Sequence, residues 1–318
     1  MKKSTKFFLI GIITFIIVVL SFYNFAVNKK YEYNTLLEIN KDIPLLKSLE
    51  KLEISKTLPF KIHLKIRDGG RGIKAGYYEI KGMYSLKEVI NILESGSSKV
   101  EKITIPEGYS LKNIIKILIK NEKWDSGKIE QALKEIQFPY PTPEGNFEGY
   151  FYPETYLIPA NYTEYQVVET ILKEFLKKFP PEQYPDKKEF YEKLIMASII
   201  EREAVVKEEK PLIASVFYNR IKKGMTLSSD ATVNYLYDYS KKRIYYKDLE
   251  IDSPYNTYKY KGLPPGPIAS PDKDSMNAAY KPSNTSYLFF VAKGDGTHFF
   301  SKTYKEHLEF QKNNNQDN

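Results

Sequence analysis

The stretch from Phe190 to Glu209, FYEKLIMASIIEREAVVKEE, constrains the fold of this chain more than any other part of its sequence. Its middle, Leu194 to Ile200, is apolar except for Ser198. Such a run is too long and too free of turn residues for a typical strand, and a buried helix accounts for it better. We therefore predict a central buried helix here.

The predicted helix carries a carboxylate at the end of its apolar run. At helical spacing, one face contains Phe190, Leu194, Ala197, Ser198, Glu201 and Val205. An apolar environment disfavours the ionised form of a carboxyl group and raises its pKa, which is how proteins keep a general acid protonated near neutral pH. We therefore predict Glu201 as the catalytic acid.

Glu203 competes for that role. A helical side chain leans over the preceding turn, so Glu201 lies over the small Ala197 and Ser198, whereas Glu203 lies over two isoleucines. Small residues leave a gap of substrate size, which makes Ser198 a candidate substrate contact and Glu203 a supporting charge.

A structural ion pair is the alternative role for Glu201. The partner would be an arginine such as Arg202 or Arg220, and ion pairs of this kind perturb a pKa without any catalytic role. The sequence pattern alone leaves both interpretations open.

The first thirty residues predict a membrane anchor. Phe7 to Val27 is uncharged and apolar, has lysines on both sides, and is long enough to cross a bilayer as a helix. A cleavable signal peptide is the alternative, but no small-x-small cleavage site follows the run cleanly. We therefore expect a retained single-pass anchor in the cell membrane, with residues 1–6 in the cytoplasm and the long remainder outside it.

Composition limits the possible ligands and partners. The chain has 318 residues, of which 42% are hydrophobic, enough for two domains. It has no cysteine and three scattered histidines, which excludes disulfides and gives no zinc-ligand spacing, so we predict no metal. The net charge of +8 suits an anionic neighbour such as lipid headgroups or wall polymers, or a basic face without a partner, and the expected location argues against nucleic acid.

An internal repeat follows a predicted stalk. Residues 28–59 are charged and helix-prone, which suggests the stalk. After it, YSLKEVINIL at 84–93 is echoed by YSLKNIIKIL at 109–118. The serine of each copy can cap a helix, and Ser85 with Glu88 makes a capping box.

Residues 60–137 are predicted to form a small α+β module around this repeat. Its strands should lie at Lys61 to Ile66, Gly76 to Ile80 and Val100 to Ile105. Two short amphipathic helices would cover them, a size and type suited to binding rather than catalysis.

A second domain should begin near Phe138, where the sequence becomes dense in proline, glycine and aromatic residues. We expect a mixed α/β domain over residues 138–310, which makes the whole chain α+β. Its further elements should be helices at Tyr165 to Phe179, at Leu212 to Lys222 and near Ala231 after a Ser228-Ser229-Asp230 cap, an irregular loop from Ser253 to Pro271, and a hairpin of Tyr287 to Ala292 with His298 to Ser301. Residues 311–318 should be disordered.

Two motifs of this domain suggest a sugar-binding cleft. The segment EGYFYPETY, if extended, places Glu148, Tyr150, Tyr152 and Glu154 on one side. Aromatic rings stack on pyranoses while carboxylates accept from their hydroxyls, although a core loop with a polar edge would look the same. The loop GLPPGPIASP is stiffened by proline and turned by glycine, which favours either a rigid cleft wall around Gly266 or a plain connection. Asn256 and Tyr258 could reach a ligand. Asp230 and Thr232 could do the same, or could simply cap a helix.

The sequence offers one acid rather than a pair. No second carboxylate sits where it would pair with Glu201 as a nucleophile. Most glycosidases use two carboxyl groups, but a substrate whose own groups assist can be cleaved with a single acid that later serves as base. N-acetylmuramoyl residues offer such groups, an acetamido group and a 6-hydroxyl that can replace water.

Four segments together resemble one family. The segments ASIIEREA, VFYNRIKKGMTLSSDATVNY, YNTYKYKGLPPGPIASP and EGYFYPETY, in an anchored chain, resemble the YceG-like endolytic murein transglycosylases. The resemblance covers nearly everything after the anchor and is strongest from Glu148 to His298. It implies that Glu201 is the catalytic glutamate, that residues 60–137 form a LysM-like module, and that the cleft is lined by Glu148, Tyr152, Asn256 and Gly266.

The resemblance also implies a reaction and partners. Members of this family cleave the β-1,4 bond between N-acetylmuramic acid and N-acetylglucosamine in nascent peptidoglycan strands, leave a 1,6-anhydro end and limit strand length, beside the penicillin-binding synthases. No cofactor is required. Two other hypotheses stay open: a lysozyme-like muramidase that admits water and leaves reducing ends, and a non-catalytic, membrane-anchored scaffold that only binds glycan.

Overall fold

The structure, a computed structural model, is a mixed α+β protein, as predicted. It describes residues 3–39, 44–96, 100–120, 122–160 and 162–314. The chain divides into two compact units, Met1–Glu101 with Leu157–Asn161, and Lys102–Tyr156 with Tyr162–Asn318. This division lies earlier than the boundary predicted near residue 138, so the two copies of the internal repeat belong to different units.

The first unit is built around a long antiparallel hairpin. Its elements are helix α1 (Lys3–Asn28), strand β1 (Lys30–Ile39), helices α2 (Leu45–Ser48) and α3 (Leu58–Ile66), strand β2 (Gly76–Ser85) and helix α4 (Leu86–Ser95). Strands β1 and β2 pair in register from Lys30 opposite Ser85 to Ile39 opposite Gly76. The segment Phe7–Asn28 within α1 is long and apolar enough to cross a membrane, and its apolar window is not buried in the protein.

Two predictions for the first unit are wrong. The helix-prone stalk at 28–59 begins instead with strand β1, whose buried residues Tyr33, Leu37 and Ile39 were hidden among charged neighbours in the sequence. The strand predicted at Lys61 to Ile66 is helix α3. Its apolar residues alternate, as in a strand, but Pro59 starts a helix and the buried residues follow helical spacing.

The helices of the two repeat copies begin where the sequence predicts. Ser85 accepts a hydrogen bond from the backbone N of Glu88, whose carboxylate accepts in return from the N of Ser85, a complete capping box. Ser110 caps helix α5 (Leu111–Ile119) through the backbone N of Asn113. Strands β3 (Val100–Thr104) and β4 (Thr155–Pro159) form a second two-stranded sheet.

The second unit is mainly helical. After α5 come helices α6 (Ser126–Glu135), α7 (Glu164–Lys178), α8 (Lys187–Glu203), α9 (Lys210–Lys222), α10 (Asp230–Tyr235), α11 (Lys273–Tyr280) and α12 (Tyr304–Asn314), with strands β5 (Phe289–Ala292) and β6 (His298–Ser301). Single turns of 3-10 helix lie at Glu53–Lys56, Asp68–Gly70, Pro143–Gly145, Lys207–Glu209 and Tyr246–Glu250. The predicted hairpin is confirmed by the antiparallel pairing of β5 with β6.

Helix α8 carries the motif on which the sequence analysis rests. All seven residues from Leu194 to Ile200 are buried, and the helix packs against α9, α10 and α11. It ends at Glu203 rather than at Glu209, because Ala204 takes an extended conformation. The last turn of α8 therefore delivers two carboxylates, Glu201 and Glu203, at the point where the chain leaves the helix.

Several aromatic residues that suggested a sugar-binding face form core instead. The ring of Tyr150 is fully buried, 4.9 Å from that of Phe138 and 5.1 Å from that of Phe175. The predicted disorder of 311–318 is wrong for the first four residues, which belong to α12; the last four lie outside the described residues.

Candidate active site

The carboxylate of Glu201 lies in a buried cluster of polar groups. Its Oε2 accepts hydrogen bonds from the Ser275 hydroxyl at 2.6 Å and from the backbone N of Asp272 at 3.0 Å. The ammonium of Lys210 lies 3.2 Å from the same oxygen and 2.9 Å from the carboxylate of Asp272. The side chains of Glu201 and Lys210 are each only 6% exposed. The gap expected over Glu201 is therefore filled by protein.

Glu201 forms an ion pair with Lys210 rather than with either of the arginines considered from the sequence. Arg202 instead donates to the carbonyl of Gly108 and lies over the Tyr239 ring, 4.0 Å from its centre. Arg220 donates to two backbone carbonyls. Lys210 could not be identified from helical spacing, because α8 ends at Glu203 and Lys210 is the first residue of the next helix, α9.

Opposing effects act on the titration of this cluster. The pKa of Glu201 is raised overall: burial raises it most and the negative charge of Asp272 adds to this, against the Ser275 hydroxyl, the Asp272 amide and the Lys210 ammonium, which lower it. Burial alone would lower the pKa of Lys210, but the carboxylates of Asp272 and Glu201 outweigh it and raise that pKa. Lys210 therefore stays charged, and a charged lysine favours an ionised carboxylate beside it.

Glu203 has a different environment two residues further on. Its side chain is half-buried, and its Oε1 accepts a 2.5 Å hydrogen bond from the Ser229 hydroxyl. Among the residues that the structure describes, Glu203 has no ion-pair partner and no second side-chain hydrogen bond. Burial raises the pKa of Glu203 most; the hydrogen bond from Ser229 lowers it, the negative charge of Asp230 raises it, and His298 and Arg202 lower it by smaller amounts. Such a carboxyl group can hold a proton and give it up to a ligand.

Two of the predicted ligand-binding residues lie beside Glu203. Asp230 is exposed, and its carboxylate accepts a 2.6 Å hydrogen bond from the hydroxyl of Tyr258. The negative charge of Glu203 is one of the causes that raise the pKa of Tyr258. The chain therefore brings the end of α8, the start of α10 and the loop before residue 260 together around one acid.

Four other predicted site residues are buried and hold loops in place. Thr232 is bonded to Thr257 at 2.8 Å, and Asn256 donates to the carbonyls of Leu249 and Ile251 at 2.8 Å each. The Ser198 hydroxyl accepts from the backbone N of Ile268 at 3.0 Å and so fixes the proline-rich loop to α8. Gly266 belongs to the same loop, and a Cβ there would lie 2.8 Å from the hydroxyl of Tyr255.

Glu148 is buried and uses both carboxylate oxygens within the protein. One accepts from the backbone N of Leu111, the first residue of α5, at 2.9 Å, and the other from the Tyr235 hydroxyl at 3.2 Å. Burial raises the pKa of Glu148 to about 7, despite these hydrogen bonds. Tyr152 is also buried, with the Lys178 ammonium 5.0 Å from the centre of its ring.

Sequence analysis missed a histidine near Glu203. His298 begins β6, and both its backbone N and its ring Nδ1 contact the carboxylate of Glu209, at 2.9 Å and 2.7 Å. None of the hydrogen bonds of the described residues uses its other ring nitrogen, Nε2. The spacing from Glu209 to His298 is 89 residues, so no local sequence signal could have paired them.

Three carboxylates in this unit lie close enough to suggest a cation. Oxygen atoms of Glu107, Glu201 and Asp272 all lie within 4.8 Å of one another. The ammonium of Lys210 already contacts two of the three. The cluster therefore has its own positive charge, and a metal ion would have to displace it.

An open groove lies beside the end of α8. It has a volume of about 570 Å³, and its lining includes Arg202 with the tyrosines Tyr109 and Tyr239 and the lysines Lys116 and Lys120. Aromatic rings and cations along a groove suit an oligosaccharide that carries anionic groups.

Comparisons with a family model and with individual proteins identify the same family. The sequence model of the YceG-like family matches residues 42–313. An endolytic murein transglycosylase of Bacillus subtilis (strain 168) is 35% identical over 284 residues, 83% of this chain and 78% of that protein. One from Streptococcus pneumoniae serotype 2 (strain D39) is 29% identical over 272 residues, which are 74% of this chain and 49% of the relative. This chain thus aligns with about half the length of the pneumococcal protein.

A solved structure agrees with these sequence matches. The crystal structure of a yceG-like protein from Listeria monocytogenes superposes with a TM-score of 0.59 at 31% identity, over 88% of this chain and 100% of that one. The family match covers most of the sequence, including both carboxylates at the end of α8. The chain therefore belongs to the YceG-like family.

Proposed function

We propose that this protein is an endolytic lytic transglycosylase of peptidoglycan. It would cut the β-1,4 bond between N-acetylmuramic acid and N-acetylglucosamine within nascent strands and leave a 1,6-anhydro end. The observation that carries the proposal is a half-buried carboxyl group, Glu203, with a raised pKa and a hydroxyl as its side-chain hydrogen-bond partner. The names of the relatives from Bacillus and Streptococcus support the substrate class.

Two glutamates are candidates for the acid. The sequence favours Glu201, which stays a prediction. We assign the role to Glu203 because Glu201 is paired with a charged lysine and its Oε2 is occupied by protein donors, whereas Glu203 keeps one oxygen free of hydrogen bonds among the described residues. In this assignment Glu201 and Lys210 hold the last turn of α8 in place.

The reaction then needs one carboxyl group and two groups of the substrate. Protonated Glu203 gives its proton to the glycosidic oxygen as the bond from the anomeric carbon breaks. The acetamido group of the sugar helps to carry the positive charge at that carbon. The carboxylate of Glu203 then removes the proton of the 6-hydroxyl, whose oxygen bonds to the anomeric carbon, so that no water is consumed and the acid is regenerated.

The neighbours of Glu203 would bind the sugar. Asp230 and Tyr258 are partly accessible beside the acid and can bond to hydroxyl groups. Ser198, Thr232, Asn256 and Gly266 would act indirectly, by holding the loops that form the wall. Glu148 and Tyr152 would support the same region from within the core.

The wider setting follows from the same hypothesis. We take α8 as the central helix of the catalytic domain, residues 60–137 as a LysM-like, glycan-binding module, and α1 as a single-pass membrane anchor with the long remainder of the chain outside the cytoplasm. Nascent glycan would then reach the enzyme near the membrane, beside the penicillin-binding synthases that make it.

Product mass tests the reaction type. The full chain in detergent would be incubated with uncrosslinked glycan strands and the products analysed by mass spectrometry. New internal cuts with anhydro ends, each one water lighter than a reducing end, are expected. Reducing ends would make the protein a hydrolase, and uncut strands that co-sediment with it would leave only a binding scaffold.

A further inference from the structure

The end of helix α1 is part of the core of the first unit. Val27 is only 4% exposed and belongs to that core, and Tyr23 packs against it. The hydroxyl of Tyr23 lies 2.7 Å from the ring Nδ1 of His63, a buried residue of α3. Helix α3 is therefore fixed against α1 shortly before α1 ends.

The length of α1 gives the depth of that contact. The segment Phe7–Asn28 has 22 residues, about 33 Å of helix at 1.5 Å per residue, against about 30 Å for the hydrocarbon core of a bilayer. Tyr23 lies five residues before Asn28, about 7 Å from the end of the segment. If α1 crosses a membrane with this segment centred on the hydrocarbon core, Tyr23 lies about 6 Å inside the edge of that core. This is within the depth of about 5–10 Å to which interfacial helices bury their apolar face. Helix α3 must then lie at the same level.

The outer face of α3 is apolar. Leu58, Ile62 and Ile66 follow one another at four-residue spacing and are 69%, 41% and 66% exposed. The exposed Lys61 and Lys65 lie along one side of this stripe. An exposed apolar stripe bordered by lysines is typical of a helix that lies in the membrane interface, with its apolar face toward the acyl chains and its ammonium groups at the phosphates.

We propose that α3 is an interfacial helix, with Leu58, Ile62 and Ile66 inserted at the boundary of headgroups and acyl chains of the membrane that α1 crosses. This proposal rests on the proposed anchoring role of α1. It means that the first unit is held directly on the lipid surface through two elements rather than at the end of a stalk. The spanning helix sets the position, and α3 sets the orientation.

Single-cysteine labelling can test this contact, because the chain has no cysteine. Ile62→Cys and Ile66→Cys would be labelled with a small fluorophore in the full chain, reconstituted into vesicles of phosphatidylcholine and phosphatidylglycerol with or without brominated acyl chains. The matched control is Glu38→Cys, which is exposed and lies eight residues along β1 from Lys30, about 26 Å away. We expect quenching by brominated lipid to be at least threefold stronger at 62 and 66 than at 38, and quenching by aqueous iodide to show the reverse order.

Other outcomes overturn the proposal. Labels at 62 and 66 that iodide reaches as easily as at 38 would mean that the stripe faces water. Labels shielded from both quenchers would mean a protein contact, such as a second copy of this chain. A label at Phe15→Cys, within α1, separates the two proposals: if brominated lipid quenches it but not those on α3, only the interfacial helix fails, and if it is not quenched either, the anchor fails as well.

Discussion

Glu201 and Glu203 are two residues apart on one helix, yet their surroundings give them different chemistry. The decisive difference is a cation: Lys210 contacts Glu201, and no lysine, arginine or histidine among the described residues forms an ion pair with Glu203. Burial raises the pKa of both carboxyl groups, but only at Glu201 does an ammonium group in direct contact oppose the shift.

Exchanging each carboxyl group for an amide should therefore change stability in different ways. Glu201→Gln leaves the buried Lys210 with only Asp272 as a charged partner, so we expect a loss of roughly 1–3 kcal/mol of unfolding free energy. Glu203→Gln removes a desolvated carboxyl group and should leave the stability unchanged or slightly raised. Thermal unfolding of both variants in detergent measures the difference, and an equal loss in both would contradict this assignment of roles.

Glu148 should make stability depend on pH. Its folded-state pKa of about 7 lies above the reference value of 4.5, so the folded protein holds this proton more tightly than the unfolded chain. The stabilisation is complete below about pH 4.5 and is lost as the pH rises through about 7, a change of about 3 kcal/mol. Glu148→Gln should flatten the pH profile of the unfolding midpoint in this window. The exposed Glu182→Gln is the control and should keep the parent's profile; a Glu148→Gln profile as steep as the parent's would refute the prediction.

At the scale of elements, loop contacts position the site. Gly149 has a φ of +86°, and a Cβ there would lie 2.9 Å from the Cβ of Pro267, so the segment at 148–154 packs directly on the proline-rich loop. Ser198 holds the other side of this loop to α8. The segment at 148–154, the proline-rich loop and helix α8 are distant in the sequence but contact one another in the structure.

Glycine substitutions test the contact between Gly149 and Pro267. Gly149→Ala should cost roughly 2–4 kcal/mol, because it adds a clash with Pro267 to a left-handed backbone. Gly145→Ala is the matched control, since its φ is +73° and nothing lies within 4 Å of the added Cβ, so only the backbone cost of about 1–2 kcal/mol applies. Chemical unfolding measures the free energy of unfolding of both variants. Equal losses of this free energy would mean that the contact with Pro267 is unimportant.

The elements that could be predicted from sequence are those with a strong local signal. Helix α7 begins with the capping box of Thr163 and Gln166 and lies within one residue of its predicted bounds, and the Gly-Asp-Gly turn predicts the β5–β6 hairpin. Strand β1 was missed because its buried face is defined only by pairing with β2, whose partner residues lie 37 to 55 positions further along the chain. Short alternating segments such as α3 fit either helix or strand until their packing is known.

For the candidate site, the sequence predicts the kind of catalytic group, a carboxyl group, but not the side chains that surround it. The sequence points to the last turn of helix α8, but the choice between its two glutamates depends on Lys210, Ser229 and Asp272, which approach through tertiary packing. Ser229 illustrates the limit. It was expected to cap α10, whereas its hydroxyl donates to Glu203 and the helix start has no side-chain cap.

At the scale of the whole molecule, the long apolar helix α1 is part of the first folded unit. Val27, near the end of α1, is buried in the core of that unit, so α1 continues into the core without an intervening loop. If α1 is a membrane anchor, as we propose, the first unit is therefore held at a fixed distance from the lipid.

The most direct test of the central claim is the formation of anhydro ends by Glu203→Gln and Glu201→Gln, compared with the parent chain on the same uncrosslinked strands. We predict that Glu203→Gln loses at least a thousandfold in rate while it remains folded, and that Glu201→Gln keeps most of the rate per folded molecule. An inactive but folded Glu201→Gln together with an active Glu203→Gln would contradict the account and return the catalytic role to the residue that the sequence favoured.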